Sequence, residues 1–266
     1  MLAATKSIDL MTCCTLSWLP DLRRFLHFQR LAMPTARLHV ALVYANADEF
    51  KPACRVADRL TQYCKSVVVT KQQQQAGRLL YFDRLRAKMP GLFKLQEGLY
   101  MDVDVDILKD LAGFPDLAPN ATVVGVKDVV IMQGMREGLA QLSLREPRGV
   151  CAIGFMYLRK NFLEEFDRIV DEGKFDIAGH FAPGSVIWNH LIDMDPTSYY
   201  AEPDWHCTLY DARYLYRAAA LHFSGATKNF LRPYWKYESM VPRKYCLTQE
   251  VEQFPDIDIE PKEQDG

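Results

Sequence analysis

Short apolar runs alternate with amphipathic stretches along most of the chain. A continuous apolar run predicts a buried strand, whereas apolar residues three or four positions apart predict one face of a helix. The predicted elements are strands over 8–16, 38–45, 67–69, 98–103, 123–126 and 151–158, and helices over 19–31, 49–63, 72–90 (ended by Pro90 and Gly91) and 161–172. Residues 131–138 fit either a loop or a short helix. Strands that alternate with helices indicate an α/β fold with a mostly parallel sheet covered by helices.

The last 17 residues differ from the rest in composition. Residues 250–266 hold seven acidic residues against Lys262 alone, and they include two prolines. Such a segment has too little apolar surface to build a core. We therefore predict one domain over residues 1–249, followed by an acidic, loosely attached tail over residues 250–266.

Charge and cysteine content narrow the class of protein. The sequence carries 32 Lys and Arg against 34 Asp and Glu, a formal net charge of −2, which excludes a general nucleic-acid binder. The uncharged stretch over 10–20 is shorter than the roughly 20 apolar residues of a membrane-spanning helix. Seven cysteines without a C-x-x-C pair are typical of reduced thiols. We expect a cytoplasmic protein without a transmembrane segment.

A basic stretch lies between Arg55 and Lys94, with nine basic and two acidic residues. A solvated helical face is the default interpretation of such a stretch. The alternative is a patch beside a ligand site that attracts nucleotide phosphates or anionic lipid, and thus a peripheral membrane contact.

The most informative segment is the acidic cluster Asp102, Asp104 and Asp106, into which the apolar strand over 98–103 runs directly. Carboxylates separated by one residue at the end of a buried strand can hold a hard divalent cation such as Mg²⁺ or Mn²⁺ against a phosphate. The alternative to metal binding is a solvated strand end without a ligand. The residues before the cluster are too apolar for a surface strand, so we favour metal binding.

Two other metal-dependent families fit the acidic cluster less well. A calcium-binding EF-hand loop starting at Asp102 needs Gly at its sixth position and Glu at its twelfth, where the chain has Ile107 and Gly113. A haloacid-dehalogenase-type phosphatase needs a flexible turn after the second Asp and a later pair of carboxylates. The chain has Ile107 and Leu108 after Asp106 and no such pair, so this family stays a minor alternative.

The segment over 100–111 resembles the D-x-D segment of GT-A glycosyltransferases, in particular family 8 (the glycogenin and galactosyltransferase-like group), with some features of family 32. Three further segments resemble these families in the same order. They are 80–91, similar to the helix that carries an Arg toward the donor, 152–158, similar to the acceptor-side strand, and 222–229, similar to H-x-x-G-x-x-K. The resemblance implies a GT-A, Rossmann-like fold.

The resemblance also implies roles for individual residues. The metal ligands would be Asp102, Asp104 and His222, the catalytic residues Asp104 and Lys228, and the donor-binding residues Arg84, Asp102, Gly154, Gly225 and Lys228. Thr15 and Trp18 follow the first predicted strand, where Rossmann-like folds bind the nucleotide base. Trp18 fits a core position equally well. His206 has no companion at metal-ligand spacing, and we interpret it as a structural or acceptor-loop residue.

Three positions depart from the family pattern. Ala152 stands where the family has Asn, Gly184-Ser185 stands where it has an Asp-Gln pair, and Asn229-Phe230 stands where it has Pro-Trp. In the family these groups contact the donor sugar and the acceptor. The resemblance therefore implies binding of metal and diphosphate and leaves the donor sugar open.

We thus expect a metal-dependent glycosyltransferase of polysaccharide biosynthesis that uses Mn²⁺ or Mg²⁺. It would move a sugar from a nucleoside diphosphate sugar, by expectation a UDP-sugar, to a glycan or other hydroxyl acceptor. We expect retention at the anomeric carbon, because the acceptor-side carboxylates fall on the predicted helix over 161–172, apart from Asp176 in a loop. The alternatives are a metal-dependent phosphohydrolase and a non-catalytic module that binds a sugar nucleotide or glycan.

Overall fold

The computed structural model describes residues 7–72, 78–128, 133–142, 147–173, 182–208, 214, 217–223 and 257–259. Its strands and helices are β1 (Asp9–Thr15), α1 (Leu19–Ala32), β2 (Arg37–Tyr44), α2 (Ala47–Leu60), β3 (Ser66–Lys71), α3 (Arg78–Leu92), β4 (Gly98–Met101), β5 (Val105–Ile107), β6 (Val123–Lys127), α4 (Gln133–Leu142), β7 (Cys151–Leu158), α5 (Leu163–Asp171), α6 (Pro183–Met194), β8 (Tyr199–Ala201), β9 (Cys207–Thr208) and β10 (Ala220–His222). Among the described residues, seven strands belong to a mostly parallel sheet and three to a smaller one. The predicted α/β fold class is confirmed.

The chain contacts divide into two compact units. The first unit comprises Met1–Gln72, Met101–Ala112 and His206–Gly266, and the second comprises Gln73–Tyr100 and Gly113–Trp205. The predicted domain boundary between residues 249 and 250 stays a prediction.

The first unit contains the parallel strands β3, β2 and β1 in that order, together with the small sheet β5-β10-β9. Almost every residue of β1 and β2 is buried, which explains why both strands appear as continuous apolar runs. Helix α2 begins after Asn46, whose side-chain oxygen accepts hydrogen bonds from the backbone N–H groups of Asp48 and Glu49.

The second unit contains β7, β6 and β8, in which β6 pairs antiparallel with β7 and parallel with β8. Helix α6 packs against α3, α4 and α5. The side chain of Trp188 on α6 is fully buried, and its indole N–H donates to the Asp83 carbonyl of α3 at 3.0 Å. This bond fixes α6 against α3.

Two parts of the second unit differ from the sequence expectation. Pro90 and Gly91 lie inside the last turn of α3, which ends at Leu92, and Lys94 then adopts a left-handed conformation with φ 55°. Of the segment 131–138, which the sequence left open between loop and helix, residues 133–138 belong to α4, and residues 131 and 132 lie outside the described residues. Helix α6, which carries a Pro-Gly pair in its first turn, was not predicted from periodicity, because nine of its 12 residues are buried and no polar face marks it.

The described part of the acidic tail, residues 257–259, is docked, and the loose attachment of the tail as a whole stays a prediction. The side chains of Ile257 and Ile259 are fully buried. Between them, the Asp258 carboxylate accepts a hydrogen bond from Arg59 of α2 at 2.9 Å, and its backbone N–H donates to the Tyr63 hydroxyl at 3.3 Å. The sequence analysis did not identify the buried residues Ile257 and Ile259, because acidic residues dominate the composition of 250–266.

Candidate metal centre

Two loop carboxylates and one strand histidine lie together in the first unit. Asp102 directly follows β4, Asp104 directly precedes β5, and His222 is the last residue of β10. The His222 Nε2 atom lies 3.1 Å from Asp104 Oδ1 and 3.8 Å from Asp102 Oδ2. One donor atom from each residue lies within 4.8 Å of the others. The structure therefore brings together the three residues that the resemblance implied as metal ligands.

Backbone pairing holds these ligands in place. Strand β5 runs antiparallel to β10, with His222 opposite Val105. The Val105 N–H donates to the Asp102 carbonyl at 3.2 Å and closes the acidic turn, while the Phe223 N–H donates to the Asp104 carbonyl at 3.1 Å. The turn that carries the carboxylates and the strand end that carries the imidazole are thus tied directly to each other.

The donor set fits a divalent cation. The side chains of Asp104 and His222 are 10% and 9% exposed, and that of Asp102 is 17% exposed, so the cluster is shielded but reachable. Two carboxylates at this distance repel each other unless positive charge lies between them. Carboxylate oxygens and an imidazole nitrogen are ligand types that divalent cations bind in proteins.

His206 lies beside this cluster, a position that the sequence did not predict. Its ring centroid is 5.3 Å from that of His222. Complete burial lowers the pKa of His206 well below its ordinary value, and the neighbouring His222 lowers it further. A neutral His206 adds no positive charge that would repel a cation. No local pattern marked this residue, because 16 positions of chain separate two histidines that only the pairing of β9 with β10 brings together.

The third acidic residue of the cluster, Asp106, is engaged elsewhere. Its carboxylate accepts two hydrogen bonds from Arg24 of α1, from Nε at 2.8 Å and from Nη2 at 2.5 Å. Both side chains are buried, at 7% and 1% exposure. One sequence signal could have revealed this pair: Arg24 lies among the buried apolar positions Leu22 and Phe25 of α1, where an arginine needs a buried partner.

Two predicted donor-binding residues lie in the second unit. The Arg84 guanidinium donates two hydrogen bonds to Asp167 of α5, at 2.6 and 2.7 Å, and this pairing raises the pKa of Arg84 above its ordinary value. In the structure, Arg84 is therefore held by a carboxylate of its own unit. Gly154 is buried in the middle of β7.

The remaining predicted residues divide into two groups. The Thr15 hydroxyl lies 2.7 Å from the Ser17 hydroxyl directly after β1, and Trp18 is 38% exposed, which argues against the core alternative for this tryptophan. Gly225 and Lys228 lie outside the described residues, as does Asp176.

The first turn of α6, where the family Asp-Gln pair is missing, receives a carboxylate from another helix. An added Cβ at Gly184 would lie under 3.0 Å from the Oδ2, Cγ and Cβ atoms of Asp83. The Asp83 side chain therefore fills the space that a side chain at position 184 would occupy. Asp83 is 6% exposed and also forms an ion pair with Arg86.

Solved structures of a galactosyltransferase resemble this chain. One is the galactosyltransferase LgtC in complex with donor and acceptor sugar analogs, with a TM-score of 0.61, 13% identity, and coverage of 94% of this chain and 95% of that one. Another is an active-site mutant of LgtC, with a TM-score of 0.61, 14% identity and the same coverage. The fold is that of a GT-A glycosyltransferase.

Sequence comparison adds nothing to this likeness, since no family model and no curated protein matches the chain. At this low identity, the likeness establishes the fold and not the specific family. Among the described helices, none has the length and apolar character needed to cross a membrane.

Proposed function

We propose that the protein is a metal-dependent glycosyltransferase that moves a sugar from a nucleoside diphosphate sugar to a hydroxyl group of a glycan. The observation that carries the proposal is the cluster of Asp102, Asp104 and His222, on a chain that has the GT-A fold. The LgtC structure was solved with donor and acceptor sugar analogs, which supports the same two classes of ligand here. We further propose a UDP-sugar donor, Mn²⁺ as the cofactor, and a cytoplasmic role in polysaccharide synthesis.

The chain supplies two carboxylates and one imidazole as candidate metal ligands. Asp102 and Asp104 would hold the cation through their carboxylates, and His222 would complete the protein ligands through Nε2. A divalent cation bound there supplies positive charge that offsets the diphosphate, so that the leaving nucleoside diphosphate is stabilised as its bond to the sugar breaks. Asp102, the most exposed of the three, would contact the donor as well as the metal.

Other residues would bind and orient the donor. Thr15 is the last residue of β1 and Trp18 lies three residues further on; both would contact the nucleotide base, with the exposed indole available for stacking. Lys228 would meet the charge that develops on the departing phosphate, and Gly225 would allow the close approach of the backbone, both by resemblance. For Arg84 to reach a donor phosphate, its guanidinium must exchange the Asp167 carboxylate for the phosphate.

We propose that the transfer retains the anomeric configuration. Inversion needs a carboxylate that takes the acceptor proton, and the acceptor-side carboxylates over 164–172 belong to α5 or directly follow it. In a retaining reaction the departing phosphate oxygen takes that proton. Proton NMR of the first product measures the anomeric coupling constant: an inverted product that disappears in Asp176→Asn would exclude retention.

A second candidate is a non-catalytic protein that binds sugar nucleotides. The observation that favours it is Gly184, because the family acid is missing from α6 and the space beside it holds Asp83, which is paired with Arg86. Such a protein would bind a nucleoside diphosphate with Mn²⁺ and release no product.

One experiment separates these functions. A panel of nucleoside diphosphate sugars is incubated with Mn²⁺ and with chelator, and both binding and nucleoside diphosphate release are measured. We expect metal-dependent binding and release that Asp104→Ala abolishes, while Asp110→Ala, which removes an exposed acid of the same segment, keeps both. Binding without release supports the binding protein, and equally tight binding in chelator contradicts both candidates.

A further inference from the structure

A buried arginine contacts both chain segments that build the metal centre. Arg24 donates two hydrogen bonds, at 2.8 and 2.5 Å, to the carboxylate of Asp106, which lies two residues after Asp104. The same guanidinium lies over the ring of Phe223, the residue after His222, with its Cζ 5.6 Å from the ring centroid.

The surroundings of this guanidinium leave it little freedom. Arg24 is 6% exposed, and its Cζ also lies 5.3 Å from the ring centroid of Phe28, one turn further along α1. The rings of Phe28 and Phe223 are almost completely buried. A planar guanidinium that is held by a carboxylate and by aromatic rings has a single orientation. Asp106 and Phe223 are therefore fixed relative to α1.

Stability alone is a weak reason for such a pair. Removing two charges from water is costly, and a buried ion pair is often no more stabilising than two well-packed apolar side chains of similar size. What an apolar pair lacks is the directional geometry of two parallel hydrogen bonds. The buried pair therefore suits a task of positioning.

The register of the small sheet shows what is positioned. Leu221 lies opposite Asp106 and His222 lies opposite Val105, so side-chain alternation places Asp106 and Phe223 on one face of the β5-β10 ribbon and His222 on the other. Arg24 thus contacts the face of the ribbon opposite to the one that carries His222. The backbone hydrogen bond from Phe223 to Asp104 then transmits the position of this face to the carboxylate turn.

We propose that Arg24 is a positioning residue of the metal centre, which acts through Asp106 and Phe223 to set the distance between His222 and the two carboxylates. This inference rests on the proposed function. Arg24→Lys keeps the charge and loses the fork. Because residues that orient metal ligands typically change metal affinity by about 10- to 100-fold, we expect the dissociation constant for Mn²⁺ to rise by about that factor.

The test is a titration of the full chain with Mn²⁺ alone and with Mn²⁺ plus UDP, in which electron paramagnetic resonance detects the free ion. Circular dichroism confirms that each variant is folded at the temperature used. The matched control is Arg148→Lys in the second unit, where Arg148 donates from both backbone and side chain to the buried Asp193. This control lowers stability by similar chemistry and should leave Mn²⁺ binding unchanged.

A second variant separates positioning from folding. The double change Arg24→Met and Asp106→Leu replaces the ion pair by apolar side chains. We expect this variant to be stably folded and to bind Mn²⁺ more weakly than the wild-type protein does. Wild-type affinity in both Arg24 variants, or an equal loss in Arg148→Lys, would overturn the inference while the metal site stands. A wild-type protein that does not bind Mn²⁺ in either titration would instead remove the proposed metal site, and the inference with it.

Discussion

Gly184 occupies a position where even one methyl group should be too large. An alanine Cβ there would lie under 3.0 Å from three atoms of Asp83, including the Asp83 Cβ. The carboxylate can rotate away, but the Asp83 Cβ is fixed to the backbone of α3. Gly184→Ala must therefore move α6 away from α3, against the hydrogen bond from Trp188 to the Asp83 carbonyl.

The magnitude follows from two costs. Overpacking a well-packed site typically costs about 1–3 kcal/mol. Turning the Asp83 carboxylate away also weakens its buried ion pair with Arg86, and complete loss of such a pair costs about 3–5 kcal/mol. Since the pair is strained rather than removed, we expect Gly184→Ala to lower the free energy of unfolding by about 3 kcal/mol.

Second-site changes identify the responsible atoms. In the Asp83→Gly background the neighbouring Cβ is gone, so adding Gly184→Ala should cost little more, with a coupling energy of about 2 kcal/mol. In the Asp83→Ala background the Cβ remains but the ion pair with Arg86 is gone, so only the overpacking part of the cost, about 1–3 kcal/mol, should persist. Gly113→Ala is the control, because its Cβ would lie 3.8 Å from the Trp205 ring, an ordinary contact distance.

Urea-induced unfolding followed by circular dichroism measures these free energies. A loss below about 1 kcal/mol in Gly184→Ala would show that α3 and α6 are not packed as described. Equal relief by Asp83→Ala and Asp83→Gly would show that the carboxylate, and not the Cβ, makes the contact.

Two further predictions concern stability. Lys94, two residues after the end of α3, has φ 55°, so Lys94→Gly should raise the free energy of unfolding by about 0.5–1 kcal/mol in urea titrations, whereas Lys94→Ala should not. Burial raises the pKa of Asp9, but its hydrogen bonds with Arg37 and His39 outweigh burial and hold that pKa below its ordinary value of 3.8. The stabilisation from these hydrogen bonds is therefore complete above pH 3.8 and is lost as the pH falls through the folded-state pKa of Asp9. Asp9→Asn should lower the free energy of unfolding at pH 7, and this difference from the wild-type protein should shrink as the pH falls below 3.8.

The first three strands and the first two helices could be predicted from the sequence because each has one clear period. The apolar runs of β1 and β2 are buried on both faces, and the amphipathic stretch of α1 has one buried side. Helix α6 was missed for the opposite reason, since it is buried nearly all round. Pro90 was expected to end α3, yet a proline in the last turn removes only one backbone donor, and the helix continues to Leu92.

The candidate site was only partly accessible to sequence reasoning. Asp102 and Asp104 lie two residues apart after an apolar strand, so local pattern was enough to select them. His222 required the family resemblance, because β10 meets β5 only in the folded chain. Arg24 was missed entirely, since it is 82 residues from the carboxylate it binds. His206 was interpreted as a structural or acceptor-loop residue, and its place beside His222 was missed because it depends on sheet pairing.

The docked tail has a consequence for the order in which the protein is synthesised. Arg59 and Asp258 are 199 residues apart, so α2 leaves the ribosome long before the segment that covers it. At about 5–20 residues per second, that interval lasts roughly 10 to 40 s. Throughout this time, Arg59 of α2 has no Asp258 carboxylate to bind, so this part of the helix surface is open to chaperones or other nascent chains. Synthesis of residue 258 thus completes a contact of a helix made 199 residues earlier.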